Sequence, residues 1–278
     1  MMDWKLVQAV SRSFFLTMRL LPGAVRNPIA LGYLLARASD SIADTSSAEL
    51  ERRVEALQQL RHGDIATHAL AALVKQQSRP EEAELLRRLP DLLETLDESP
   101  AQESLLAVWN HILSGQLFDL TRFPNDAAPL SAEELDEYTF LVAGSVGEFW
   151  TKLCAASLPG FSRRPVKELV KLGVAYGKGL QLVNILRDRR GDAEIGRVYV
   201  PDERFDEVKR QAREGLESGL EWVSAVDNGR VRFACVPPAR IGLETLARIE
   251  TDSGAVKIPR DAVRRVLLLA VPMLWSRG

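Results

Sequence analysis

Two aspartates, Asp40 and Asp44, stand four residues apart in the segment Leu34-Leu-Ala-Arg-Ala-Ser-Asp-Ser-Ile-Ala-Asp-Thr45. On a helix this spacing sets both carboxylates on one face, about one turn apart. Like charges so placed repel each other unless a cation lies between them. Magnesium is a hard ion that accepts a few carboxylates, keeps several waters and is commonly completed by substrate phosphate oxygens. An i,i+4 aspartate pair has the spacing that half of such a site requires. The pair alone does not establish one, because Asp202 and Asp206 repeat the spacing just after Pro201, where acidic residues simply favour a helix N-terminus.

A second segment changes the balance. In Gly179-Leu-Gln-Leu-Val-Asn-Ile-Leu-Arg-Asp-Arg-Arg-Gly-Asp192, the oxygen-bearing residues Asn184, Asp188 and Asp192 recur at four-residue steps. Three ligands then line one helical face over about two turns. Leu182, Val183, Ile185 and Leu186 stand between them and mark the helix as buried on part of its circumference, and carboxylates on such a helix need partners. Arg37 lies three residues before Asp40, and Arg187 directly precedes Asp188. Each arginine has two readings, a salt bridge to its neighbouring aspartate or a grip on a diphosphate, whose oxygens suit the planar guanidinium donors.

The elements that must position these residues are helices. Apolar residues recur at helical spacing along most of the chain, and period-2 alternation is scarce, so no strands are expected. The pattern predicts helices over about 28–44, 49–61, 81–96, 101–119, 131–157, 165–191, 203–226 and 233–250, with a last one from about 260. Pro28 suits a first helical turn, and Ser99 with Gln102 and Ser131 with Glu134 have capping-box spacing. The stretch from Arg61 to Pro100 is rich in Glu, Arg and Gln and reads as a solvated helical face without chemistry. No repeat or long linker divides the 278 residues, which read as a single all-α domain over 1–278.

Composition sets further bounds. Hydrophobic residues make up 46% and charged residues 27%, which excludes a disordered or fibrous chain. A net charge of -2 argues against a nucleic-acid partner, which calls for a basic excess. Cys154 and Cys235 belong to no zinc-binding pattern and read as buried thiols. His62, His68 and His111 form no metal or catalytic-triad pattern. The N-terminus shows no basic segment followed by an apolar run, so a cytoplasmic chain is expected. The longest apolar run, Val266 to Trp275, is about half of the ~20 residues that span a bilayer; it reads as a core helix or a surface-docking tail.

Four ordered segments resemble the squalene/phytoene synthase family of head-to-head prenyltransferases. Ser11-Arg-Ser-Phe14 is similar to the family's N-terminal segment, and Asp40 and Asp44 fall on its first aspartate motif. Glu137-Tyr-Thr-Phe-Leu-Val-Ala-Gly-Ser-Val-Gly147 resembles its central segment. Gln181 to Asp192, followed by Gly196-Arg-Val-Tyr-Val-Pro201, resembles the second aspartate motif and its tail. The first motif, Thr245-Leu-Ala and Gly254-Ala-Val-Lys-Ile258 lean toward squalene synthase.

The resemblance implies one helical domain of the isoprenoid-synthase type around a deep central cavity. It implies magnesium ligands at Asp40, Asp44, Asn184, Asp188 and Asp192, and diphosphate contacts at Ser11, Arg37, Arg187, Arg197 and Gln181. Tyr138 is carried over with the aspartates as a catalytic residue. Where eukaryotic squalene synthases place a tyrosine before the Val-Ala-Gly segment, this chain has Leu141, which cannot move a proton. The implied reaction joins two farnesyl diphosphates through presqualene diphosphate to squalene, releasing pyrophosphate, with NADPH as reductant. Dehydrosqualene or phytoene synthesis is the alternative within the family. No Gly-rich strand-to-helix motif for a dinucleotide is present. The expected partners are isoprenoid diphosphates, together with a peripheral membrane contact for release of an apolar product. A non-catalytic helical scaffold is the competing class, but helix packing has no need of five oxygen ligands on two faces.

Overall fold

The computed structural model describes residues 2–11, 14–63, 65–125, 128–249 and 258–274. Among the described residues there is no strand, only an isolated bridge between Ser162 and Val226. The chain divides into two compact units, residues 1–122 and 123–278.

The first unit holds α1 (Trp4–Ser11), α2 (Phe14–Leu20), α3 (Gly23–Ala43), α4 (Leu50–Arg61), α5 (Thr67–Gln76), α6 (Pro80–Arg87), α7 (Leu89–Asp97) and most of α8 (Gln102–Asn125). Helix α3 is its centre and touches α1, α2, α4, α6 and α7. Leu31, Leu34, Leu35, Ala38 and Ile42 follow helical spacing and are all at most 2% exposed, a stripe that faces the core while Arg37 and Asp40 project elsewhere. Small polar residues bond back to the helix carbonyls: within it Ser41 Oγ donates to the Arg37 carbonyl at 2.9 Å, and just beyond its end Thr45 Oγ1 donates to the Ser41 carbonyl at 2.6 Å.

The second unit holds α9 (Ala132–Thr139), a π-helical turn (Phe140–Gly144), α10 (Ser145–Ser157), α11 (Val166–Glu194), a 3-10 turn (Asp202–Arg204), α12 (Phe205–Ser224), α13 (Gly229–Ile249), α14 (Arg260–Ala270) and a closing 3-10 turn (Val271–Leu274). Helix α11 is its centre and packs on α9, the π turn, α10, α12 and α13. Glycines set how closely it approaches the π turn and α10. A Cβ on Gly147 would lie 1.9 Å from the Gly173 carbonyl oxygen, and one on Gly177 would lie 2.1 Å from the Ala143 carbonyl oxygen. No side chain fits between these backbones. The Val-Ala-Gly-Ser-Val-Gly147 segment is thus the seat of α11.

Several sequence expectations need correction. Helices α1, α2 and α5 were not expected, being short elements whose periodicity spans few turns. Helix α3 begins a turn before Pro28, which lies inside it; the Pro22 carbonyl accepts the first amide bonds, from Val25 and Arg26. The predicted helix 81–96 is broken at Arg88 between α6 and α7, where Pro90 sits in the first turn of α7. The stretch Arg61 to Pro100 is not merely a solvated face, because Leu70, Leu73, Leu85, Leu86, Leu89, Leu92 and Leu96 are buried in the core. Ser99 forms no capping box; its hydroxyl accepts from the Ala101 amide, while the Gln102 side chain donates to Asp97. The box at Ser131 and Glu134 does form, with reciprocal bonds of 3.1 and 2.8 Å. The continuous helix expected over 131–157 is interrupted by the π turn.

Candidate active site

In the first unit, Asp40 lies in the last turn of α3 and Asp44 is its C-cap residue, its amide donating to the Asp40 carbonyl at 2.9 Å. No basic residue occupies that last turn. The helix macrodipole is negative at a C-terminus and disfavours acids there, so two carboxylates at this position work against both the dipole and each other. Part of that charge is met by Arg53 of α4, which donates to the Ala43 carbonyl at 2.7 Å. The Asp40 side chain is 43% exposed, yet withdrawal from bulk water, followed by the Asp44 charge, raises its carboxyl to about 6 against the pull of Arg37.

Arg37 donates to Asp40 Oδ2 and, at 2.5 Å, to Glu82 Oε1 on α6. Burial opposes its charge, but Asp40 and Glu82 more than offset this and keep it a cation. Ser11, the last residue of α1, is 2% exposed and its hydroxyl has no hydrogen-bond partner; Arg12 and Ser13 of the same motif lie outside the described residues.

In the second unit, Asn184, Asp188 and Asp192 project from one face of the last turns of α11. Asp192 stands in a final turn with no basic residue, so the second motif, like the first, lies toward the negative end of a helix. Arg187 makes a two-pronged ion pair with Asp188, Nε to Oδ1 at 2.8 Å and NH2 to Oδ2 at 2.5 Å. That hydrogen bond raises the Arg187 pKa further. Burial and then the Asp188 charge raise the Asp192 carboxyl, while Arg197 and Arg187 counter this. Asn184 is exposed, with its amide 3.5 Å from Gln181 Oε1. The salt-bridge reading of both arginines therefore holds in the structure, and the half-buried fork of Arg37 and the exposed fork of Arg187 leave further donors for an anion.

The remaining candidates fall in packing positions. Tyr138 is 4% exposed and stacks on Tyr199, ring centroids 5.2 Å apart, and Tyr199 meets Phe123 edge-on at 4.9 Å. This aromatic cluster ties the central motif to the tail of the second one, and the Leu130 amide closes on the Val198 carbonyl at 3.2 Å. Leu141 lies in the π turn. Gly254 to Lys257 lie outside the described residues. Sequence reasoning missed Glu82, whose only signal was its place in the first turn of a helix starting at Pro80.

The donor chemistry suits a hard cation: oxygen-bearing side chains, spaced by helical turns, at the negative ends of helices, with two carboxyls whose acidity is suppressed by burial and then by a neighbouring carboxylate. Among the described residues no three acidic, His or Cys side chains converge on one point. Each motif thus offers a carboxylate pair to be completed by water and phosphate oxygens, which is how magnesium is usually held.

A family model described as squalene/phytoene synthase matches residues 7–210. A presqualene diphosphate synthase of Sinorhizobium fredii is 34% identical over 264 residues, covering 94% of this chain and 81% of that protein. A bifunctional lycopene cyclase/phytoene synthase of Colletotrichum graminicola is 30% identical over 69% of this chain, which spans only 32% of that longer protein. Among solved structures, a ligand complex of TcSQS superposes with TM-score 0.75 at 20% identity, covering 98% of this chain and 87% of that one. A dehydrosqualene synthase in complex with a ligand gives 0.66 at 20%, covering 98% and 94%. These neighbours share the all-helical fold, and the family match over both aspartate motifs, with the 34% identical relative, establishes that the chain belongs to the squalene/phytoene synthase family.

Proposed function

We propose that this chain, acting as one catalytic domain over residues 1–278, is a magnesium-dependent prenyltransferase. It joins two farnesyl diphosphates head to head into presqualene diphosphate and converts that product onward to squalene. The observation that carries this reading is the pairing, in both units, of helix-terminal aspartates with an adjacent arginine. One aspartate pair would need only a cation; a pair with a guanidinium fork beside it suits a cation and a diphosphate together.

In the first half-reaction the allylic C–O bond of one substrate breaks and pyrophosphate leaves. The cation that forms alkylates the double bond of the second substrate, and loss of one proton closes a cyclopropane ring. Magnesium, when bound by Asp40 and Asp44 and by Asn184, Asp188 and Asp192, supplies positive charge against the leaving group. Arg37 and Arg187 add their donors, Arg197 and Gln181 extend the second set, and the unpartnered Ser11 hydroxyl is suited to a phosphate oxygen. Tyr138 enters as a proton-handling candidate beside the central motif. Half-buried Phe140, Val142 and Trp150 are suited to keep water from a carbocation.

A second reading is favoured by Leu141 and by the Sinorhizobium fredii relative named presqualene diphosphate synthase: catalysis ends at presqualene diphosphate. The onward step requires a hydride, for which NADPH is the proposed donor. Incubation with farnesyl or geranylgeranyl diphosphate, with and without NADPH, followed by product analysis, separates these. Squalene formed only with NADPH supports the full sequence, presqualene diphosphate in both arms supports the shorter one, and phytoene from geranylgeranyl diphosphate alone overturns the farnesyl assignment.

No helix among the described residues is long and apolar enough to cross a membrane. A peripheral contact is proposed at α14. Leu268 and Leu269 are 70% and 57% exposed there, about one turn beyond the exposed Arg264 and Arg265. Apolar tips beside basic residues suit an anionic lipid surface.

A further inference from the structure

Arg37 of the proposed site is held by a carboxylate from outside its own helix, Glu82 of α6. The Glu82 side chain is 12% exposed and its Oε1 accepts from both Arg37 NH2, at 2.5 Å, and Arg79 NH1, at 2.9 Å. Glu82 rides in the first turn of α6, where the helix dipole favours an acid. A carboxylate so enclosed needs its cations to stay charged, and the two arginines meet that need. The consequence for Arg37 is positional: its guanidinium is stretched between Asp40 and Glu82, with its remaining donors unspent. Without Glu82, Arg37 would have Asp40 as its only acidic partner and would compete with any cation for that carboxylate.

We infer that Glu82 is a positioning residue: by holding NH2 of Arg37 it limits that arginine to one Asp40 oxygen, Oδ2, which leaves Asp40 Oδ1 for a cation and aims the Arg37 fork at an anionic oxygen. The inference rests on the reading of this site as one for magnesium and diphosphate. Arg79 acts one step further out, by neutralising the second half of the Glu82 charge. A purely structural ion pair would tie α6 to α3 and affect stability alone. A positioning role affects anion binding in a folded protein.

The test is calorimetric titration of inorganic pyrophosphate into the magnesium-loaded protein, with unfolding followed in parallel. Glu82→Gln keeps the shape and removes the charge. With the charge that holds the Arg37 fork removed, the variant is expected to bind pyrophosphate about tenfold or more weakly while remaining folded. Glu82→Asp keeps the charge but shortens the reach, and is expected to fall between the two, so it serves if the glutamine variant unfolds. In turnover, KM for the allylic diphosphate should rise in the same order. Wild-type binding matched by both variants overturns the inference alone. Absence of magnesium-dependent pyrophosphate binding by the wild type overturns the site reading, and the inference with it.

Discussion

Adding one methyl group to α11 should have opposite effects at two glycines of that helix. At Gly191 a Cβ meets nothing within 4 Å, so Gly191→Ala gains helix propensity and is expected to stabilise by about 0.5–1 kcal/mol. At Gly177 the same gain is available, but the new Cβ would sit 2.1 Å from the Ala143 carbonyl oxygen and 2.7 Å from its carbon. Carbon atoms pack at about 3.5–4.0 Å, so α11 and the π turn must part by more than about 1 Å. Overpacking of this kind costs about 1–3 kcal/mol or more, which is the expected gap between the two variants and, after the propensity gain, leaves Gly177→Ala anywhere from about neutral to about 2.5 kcal/mol less stable than wild type. The shift also travels along a rigid helix to Asp188, and a misplacement of about 1 Å can cost about 100-fold in rate. Urea unfolding of both variants measures the stabilities, and pyrophosphate release measures the rate. A Gly177→Ala protein as stable as Gly191→Ala, with unchanged turnover, would refute the account of how α11 is seated.

Three further outcomes are expected. The Asp40 carboxyl is raised to about 6, so the folded metal-free protein binds this proton more tightly than the unfolded chain does. Stability relative to an Asp40→Asn variant should therefore fall as pH rises from about 4 through 6, by about 1 kcal/mol once screening of the partly exposed group is allowed for; paired unfolding curves across that range check the sign. Burial raises the Cys154 thiol to about 12 and that of Cys235 well above its usual value, so neither should react with a thiol reagent in the native state, and both should react on unfolding. Replacing Leu268 and Leu269 with aspartate should abolish co-sedimentation with anionic vesicles without altering the unfolding transition; unchanged co-sedimentation would remove α14 from the membrane contact.

What the sequence made legible was what depends on spacing. The shared helical face of Asn184, Asp188 and Asp192 follows from four-residue steps, and the capping box at Ser131 from a three-residue one, and both are local geometry. Contacts between distant segments were not legible. Glu82 meets Arg37 across 45 residues, and nothing in its neighbourhood distinguishes it from Glu81, which shares the first turn of the same helix. The breaks at Arg88 and at the π turn were missed for a related reason: the apolar pattern continues through both, and the interruption is set by Pro90 in one case and by packing against α11 in the other. The glycines of the central segment were noticed as a family motif, but their physical role became visible only in the backbone approach of Gly147 to Gly173 and of Ala143 to Gly177.

Both aspartate motifs are proposed to serve one magnesium-assisted loss of pyrophosphate. Asp40→Asn and Asp188→Asn each remove one carboxylate from a repelling set, so folding stability should stay within about 1 kcal/mol of wild type. Pyrophosphate release from farnesyl diphosphate in the presence of magnesium should be lost in each variant separately. Near-normal release by either folded variant would contradict the claim at that motif.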